Sequence, residues 1–237
     1  MEGHNSNFVD FRRGVLSGIP VVIGYAPVAM AFGLLSKNVG VSLRDSFLFS
    51  FLVFAGASQF MALDLIKAGA ATGEIILATF LLNLRHIMMS ASLVVRMKER
   101  KLKWLPVVAF GVTDETFAIA STRDEKSGTA YLLGLQFASY GSWVTGTVIG
   151  YLVGAVLPAS VQSSLGIGLY AMFVAILVPE IKKSGRVLML ATLSGAIYML
   201  IDRFKLLPAG WSLIAAIIAA STAGVLILGE EGREVEE

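Results

Sequence analysis

Apolar runs long enough to cross hydrocarbon recur through the whole sequence, at about 15–36, 46–66, 74–95, 104–121, 129–157, 162–179, 187–201 and 209–228. A spanning helix needs about 20 predominantly apolar residues, each adding about 1.5 Å across a core about 30 Å thick. A soluble domain carries about a quarter of its residues as charges. This chain has only 15% against 56% hydrophobic residues, and its mean hydropathy is +0.75. Fifteen of its 24 glycines fall inside the apolar runs, as is common in membrane helices. The connections, such as Lys37-Asn38-Val39-Gly40 and Pro158-Ala159-Ser160, are too short to hold a soluble domain. The expected fold is an all-α, polytopic transmembrane helix bundle. One transmembrane domain at 15–228 follows a polar segment at 1–14 and precedes an acidic tail at 229–237, which reads as frayed and solvated.

The formal net charge of +2 says little about partners. Basic residues cluster in short loops, which makes them orientation signals and not a nucleic-acid surface. The absence of cysteine rules out disulfides, thiolate metal sites and cysteine nucleophiles. Glu2 and Asp10 precede the first arginines, and no convincing cleavage site follows, so a cleaved signal peptide is not expected. There is no Gly-x-Ser-x-Gly elbow, phosphate-binding loop or zinc spacing. No cofactor and no enzyme activity are therefore expected, and any driving energy should come from ion or solute gradients.

Positive charge marks cytoplasmic loops, which places both Arg96–Lys103 and Lys182–Arg186 inside. Three candidate segments separate these loops, and three full crossings would put the loops on opposite sides. The simplest repair is that 104–121, the shortest, with Asp114-Glu115 at its centre, dips in and returns. Tracing backward, 74–95 runs inward, 46–66 runs outward, and Lys37 and Arg44 lie inside. The Arg12-Arg13 flank then matches if 15–36 is re-entrant as well. Pro20, Pro27, Gly18, Gly24 and Gly33 would break a helix there; the alternative is a kinked but complete span. Broken segments leading two halves, 15–95 and 104–179, would point to a transporter's binding site in an internal repeat.

A charge near the bilayer centre costs at least about 2.5–3.5 kcal/mol, so it usually faces a cavity or a partner. Asn83-Leu84-Arg85-His86, with Ser90 and Ser92, lies mid-segment, where Arg85 is too deep to snorkel easily. A guanidinium grips a carboxylate bidentately, so Arg85 suits either an amino-acid carboxylate or a structural pair with Asp114, Glu115 or Asp64. His86 is either a satisfied core histidine or a proton relay. In Thr113-Asp114-Glu115-Thr116, two desolvated, mutually repelling carboxylates favour a proton on one of them, as a proton-coupled carrier requires. The bland alternative is a capped, solvent-facing turn. Phe54-Ala55-Gly56-Ala57-Ser58-Gln59-Phe60 combines small residues with an amide that both donates and accepts. It reads equally as a packing face or as part of a site. The stripe Gln136, Tyr140, Trp143 and Thr147 adjoins Gly146, Gly150 and Gly154, a small-residue ridge for helix contact.

Together these blocks resemble the AzlC-type large subunits of branched-chain amino acid exporters. The resemblance is carried by Gly18-Ile19-Pro20, Gly24-Tyr25-Ala26-Pro27, Ala31-Phe32-Gly33, Phe54–Phe60, Asn83–His86 with Ser90-Ala91-Ser92, and Thr113–Phe117, in the expected order and spacing. The Phe-Ala-Gly-Ala-Ser-Gln-Phe and Asn-Leu-Arg-His blocks are the specific ones. The resemblance implies export of valine, leucine, isoleucine or analogues such as methionine across the cytoplasmic membrane. It also implies a small, separately encoded AzlD-like membrane subunit. Whether copies of the chain associate is left open.

The expected mechanism is that of a secondary carrier with a midplane site. Arg85, or amides freed around Pro20, Gly24 and Pro27, holds the substrate carboxylate, and Asp114 or Glu115 holds its ammonium. Asn83, Ser58 and Gln59 add polar contacts, and Phe54, Phe60, Met88 and Phe117 supply an apolar pocket. His86, Asp114 and Glu115 are the proton-coupling candidates. The rivals are a passive solute channel, which would be insensitive to a proton gradient, and an accessory scaffold, whose midplane charges would tolerate neutralisation.

Overall fold

The computed structural model describes residues 2–98, 101–122, 127–156, 184–205 and 209–229, with a few isolated positions between 158 and 207. In chain order its helices are α1 (Glu2–Asn38), α2 (Leu43–Leu52), α3 (Gly56–Lys67), α4 (Thr72–Arg96), α5 (Leu105–Phe110), α6 (Asp114–Ser121), α7 (Thr129–Val153), α8 (Gly185–Arg203) and α9 (Ala209–Gly229). Among the described residues no strand forms beyond one isolated bridge between Met97 and Ser127. Asn7–Asn38, Thr72–Arg96 and Gly185–Arg203 are long and apolar enough to cross a membrane. Most of the expected segment at 162–179, the loop at 123–126, Arg100, Lys183 and residues 230–237 of the acidic tail lie outside the described residues. Two compact units form, one from 1–63 and 83–170, the other from 64–82 and 171–237.

The first unit is organised by α1 and α7, which run side by side and in the same direction. Glycine makes this possible. A Cβ on Gly14 or Gly33 would lie 2.0 Å from the carbonyl oxygen of Tyr131 or Thr147, and one on Gly134 or Gly150 would lie 2.1 Å from that of Phe11 or Met30. Small residues that let backbones approach are the main packing device between helices in lipid. The pairing of low numbers with low and high with high fixes the parallel sense. It also places Asp10 beside Gly128 at one end and Lys37 over the Tyr151 ring at the other.

This arrangement corrects the expectation for 15–36. The helix α1 is unbroken through Pro20 and Pro27. Each proline removes one i→i−4 hydrogen bond, leaving the carbonyls of Leu16 and Ile23 without their helical donors. Both prolines are exposed on the side turned away from α7, and the glycine contacts along the other side hold the helix together.

The segment read as a full crossing at 46–66 is instead a hairpin. Its first arm, α2, starts beside Tyr151, whose hydroxyl donates to the Val41 carbonyl, and passes Thr147, 2.7 Å from Ser50 between hydroxyl oxygens. The chain leaves helical geometry at Val53–Ala55, and α3 turns back, so that Phe49 and Phe60 both pack on Phe32. Lys37 and Arg44 therefore sit at the end opposite Arg96 and Lys98.

The segment at 104–121 dips in and returns, as expected. Its arm α5 rises beside α7, where Gln136 Nε2 donates to the Val108 carbonyl at 2.9 Å. After the turn at Gly111–Thr113, α6 descends until the Ser121 carbonyl lies 3.4 Å from Arg96. There Lys98 N donates to the Ser127 carbonyl, so both loops share one end with the start of α1. We call it the basic end, for Arg12, Arg13, Arg96, Lys98, Lys101 and Lys103. An apolar cluster of Leu93, Met97, Val108, Val112, Ala120, Tyr131, Leu132 and Leu135 seats this hairpin. Each of α1 and α4 is thus followed by a hairpin from the end the helix has reached, α2–α3 after α1 and α5–α6, entering from the other end, after α4.

In the second unit α8 and α9 pack antiparallel, with Leu190 against Gly224. Val187, Ala191, Ser194, Ala220, Ser221 and Val225 line a shallow groove between them.

Candidate functional site

The two hairpins enter from opposite ends, and their turns meet halfway along α7. Tyr140 joins them: its hydroxyl donates to the Phe51 carbonyl at 2.7 Å, and its ring packs on Phe54 and Phe110, with centroids 5.4 and 5.7 Å away. Tyr25 on α1 does the same from the other side. Its ring packs edge-on against Phe54 at 6.0 Å and Trp143 at 5.1 Å. Its hydroxyl donates to the Glu115 carboxylate and lies 2.8 Å from the Thr113 hydroxyl.

Side chains of each hairpin and of α7 shape the two turns together. At the first, Gln59 folds back across Val53–Ala55. Its Nε2 donates to the carbonyls of Phe49 and Val53, and its Oε1 accepts from Trp143 Nε1, each at 2.8 Å. The Val53 carbonyl at the break and the Gln59 amide are thereby paired in a buried setting, where an orphaned group costs about 1–3 kcal/mol. At the second, Gly111 ends α5 against the Gln136 side chain, where a Cβ would lie 2.4 Å from Cδ. Thr113 then caps α6 in a reciprocal box with Thr116. The cap places Asp114 and Glu115 in the first helical turn, facing different neighbours.

Asp114 pairs with Arg85 of α4, 3.0 Å between Oδ2 and Nη1, with the side chains 25% and 36% exposed. Asn83, two residues earlier, donates to Ser58 of α3 at 3.0 Å. So α4 ties one residue to each hairpin. Two polar atoms here are buried without a protein partner: Arg85 Nε, a donor, and Asn83 Oδ1, an acceptor. His86 is half-buried and close enough to feel both Arg85 and Asp114. Among the described residues no three His, Asp or Glu side chains gather as metal ligands.

Of the residues the sequence nominates, the structure brings together Arg85, Asp114, Glu115, Asn83, Ser58 and His86. Gln59 stands beside them with its amide fully used. Pro20, Gly24 and Pro27 lie exposed on the outer face of α1. The four apolar candidates do not form one pocket. Phe54 reaches the centre, Phe60 packs on Phe32, Phe117 joins the cluster at the basic end, and Met88 is 75% exposed. Tyr25 is the residue that sequence reasoning passes over. It stands inside the Gly24–Pro27 block, but no spacing rule pairs it with a carboxylate 90 residues away.

A polytopic helical membrane protein with two opposed hairpins and an ion pair where they meet is the class this geometry defines. The AzlC protein family model matches residues 20–157, which contain both hairpins and the pair. The chain belongs to that family. An uncharacterized membrane protein of Archaeoglobus fulgidus is 37% identical over 224 residues, 94% of this chain and 95% of that one. Inner membrane protein YgaZ of Escherichia coli is 35% identical over 196 residues, 79% and 80% of the two chains. The branched-chain amino acid transport protein AzlC of Bacillus subtilis is 23% identical over 173 residues, 72% and 67% of the two. No solved structure matches the chain significantly.

Proposed function

We propose that this chain is a secondary carrier that exports branched-chain amino acids across the cytoplasmic membrane, working with a small AzlD-like membrane subunit. The basic end faces the cytoplasm, and residues 15–228 act as one transport domain. The observation that carries the reading is the Arg85–Asp114 pair, partly exposed where the hairpins meet, with Arg85 Nε and Asn83 Oδ1 still unsatisfied. An amino acid is a carboxylate and an ammonium on one carbon. Its carboxylate can take the guanidinium and its ammonium the Asp114 carboxylate, so one ion pair is exchanged for two and the net charge of the site is unchanged. Asn83 Oδ1 offers the ammonium a second acceptor. Ser58 and Gln59 shape the first hairpin under the site. His86 and the two carboxylates are the groups through which a proton gradient would act. A membrane transport protein of the Bacillus subtilis type is what this arrangement serves, and it transports without catalysing.

The test separates a substrate site from a structural pair. Removing one partner of a buried pair strands a charge, at about 3–5 kcal/mol when fully buried and less where one partner is 36% exposed. Removing both partners relieves that cost. Arg85→Ala and Asp114→Asn should each abolish efflux of labelled valine and leucine from vesicles carrying both subunits. The double variant Arg85→Gln/Asp114→Asn should regain thermal stability and still transport nothing. Efflux restored in the double variant would make the pair structural and remove the site.

A further inference from the structure

The two hairpins are secured by different chemistry. The first, α2–α3, is fixed by neutral hydrogen bonds of buried side chains: Gln59 to Phe49, Val53 and Trp143, and Ser50 to Thr147. Gly56 adds close contact, since a Cβ there would lie 2.6 Å from the Trp143 ring. The tip of the second, α5–α6, is secured by its own two adjacent carboxylates. Asp114 reaches Arg85 on α4, and Glu115 accepts from Tyr25 on α1. The Asp114 tie is the one an amino acid would compete for. With it broken, the polar ties left at the tip are Tyr25, through Glu115 and Thr113, and the Gln136 contact to Val108, beside the apolar packing of Val108 and Val112 on α7 and of Phe110 on Tyr140.

We propose that the α5–α6 hairpin is the moving gate of the carrier, that α2–α3 is its fixed counterpart, and that Tyr25 is the latch that holds the gate closed until substrate takes Arg85 from Asp114. Tyr25 is a positioning residue: it touches the gate and acts on the substrate path through it. Its ring, wedged between Phe54 and Trp143, belongs to the fixed half. Its hydroxyl reaches the moving one. The proposal rests on the carrier reading above, and its test separates the two.

The chain has no cysteine, so introduced thiols are the only ones present. Two thiol pairs follow side-chain contacts in the structure, a Cβ on Gly111 lying 2.7 Å from Gln136 Cγ and the Ser50 and Thr147 hydroxyls lying 2.7 Å apart. Gly111→Cys with Gln136→Cys ties the gate to α7, and Ser50→Cys with Thr147→Cys ties the fixed hairpin to α7. Oxidation should stop valine efflux in the first pair, with recovery on reduction, and leave it unchanged in the second. A third thiol, Val112→Cys, is 1% exposed at the gate tip and reports opening through its rate of reaction with a water-soluble maleimide. Valine should raise that rate. Tyr25→Phe, which keeps the ring and loses the hydroxyl, should raise it about ten-fold without valine, as expected when one charge-assisted hydrogen bond is lost. Glu115→Gln should move it in the same direction, and serves if Tyr25→Phe folds poorly.

Loss of efflux in the oxidised Ser50–Thr147 pair, or efflux that survives oxidation of the Gly111–Gln136 pair, would overturn the gate assignment. An unchanged maleimide rate in both Tyr25→Phe and Glu115→Gln would overturn the latch. Failure of the carrier reading looks different: neither pair transports valine when reduced, while the latch variants still speed labelling.

Discussion

Glycine decides how close α1 and α7 come, and the decision is local enough to test one residue at a time. Gly33 and Gly150 each face a backbone carbonyl at a distance no side chain can accept, whereas nothing lies within 4 Å of a Cβ on Gly24 or Gly141. A clash with backbone cannot be relieved by a rotamer change, so the helices must part and lose contact along their length. Overpacking of this kind costs about 1–3 kcal/mol in ordinary cores. Gly150→Val should sit at or above that range, seen as a lower melting temperature in detergent. Gly24→Ala removes a helix-interior glycine in open space and should be neutral or stabilising, by up to about 1 kcal/mol. Equal losses at both positions would mean that α1 and α7 do not meet where the glycines place them. The Gly146–Gly154 ridge was legible in the sequence as a packing surface. Its partner, Ala26, Ala29, Met30 and Leu34 of α1, carries no such signature, and Gly18 and Gly33, which also face α7, read in the sequence as helix breakers beside the prolines.

At the scale of elements, the sequence conveyed how many segments fail to cross more reliably than which ones. Charge parity required a re-entrant segment between the basic loops, and Asp114-Glu115 in a short apolar run marked it. The same parity argument required a second, and the prolines drew it to 15–36. The hairpin is at 46–66. The weakest helix former in Phe49–Phe60 is Gly56, which lies beyond the break; at Val53–Ala55 itself Gln59 donates to the Val53 and Phe49 carbonyls and Trp143 donates to Gln59. Such a turn is a tertiary event and has no local signature. The prolines mislead for the converse reason, since helix packing maintains α1 across two missing hydrogen bonds. If α1 is continuous, Pro27→Ala returns a donor to the Ile23 carbonyl and should preserve or raise the melting temperature. A proline in a helix interior costs about 3 kcal/mol relative to alanine, which sets the upper limit of the gain. A substantial loss of stability in Pro27→Ala would indicate a bend that α1 requires.

Across the whole first unit, the parallel pair and the two opposed hairpins leave a single assignment of ends. Arg12, Arg13, Arg96, Lys98, Lys101 and Lys103 collect at one, against Lys37 and Arg44 at the other. Each such residue costs about 2.5–3.5 kcal/mol at a helix centre, so the charges fix the topology and the larger cluster should face the cytoplasm. The prediction differs from a conventional reading in its parity. Residues 38 to 96 contain two long apolar runs, yet only one crossing separates Arg44 from Lys103, because α2–α3 returns to the end it left. Arg12→Cys and Lys103→Cys should therefore react with a membrane-impermeant maleimide from the cytoplasmic face alone, and Arg44→Cys from the opposite face alone. The absence of native cysteine makes each label unambiguous. Labelling of Arg44→Cys from the same face as Lys103→Cys would require 46–66 to cross fully. The hairpin, the meeting of the two tips and the site between them would then fall together, since all three depend on α2–α3 turning back at Val53–Ala55.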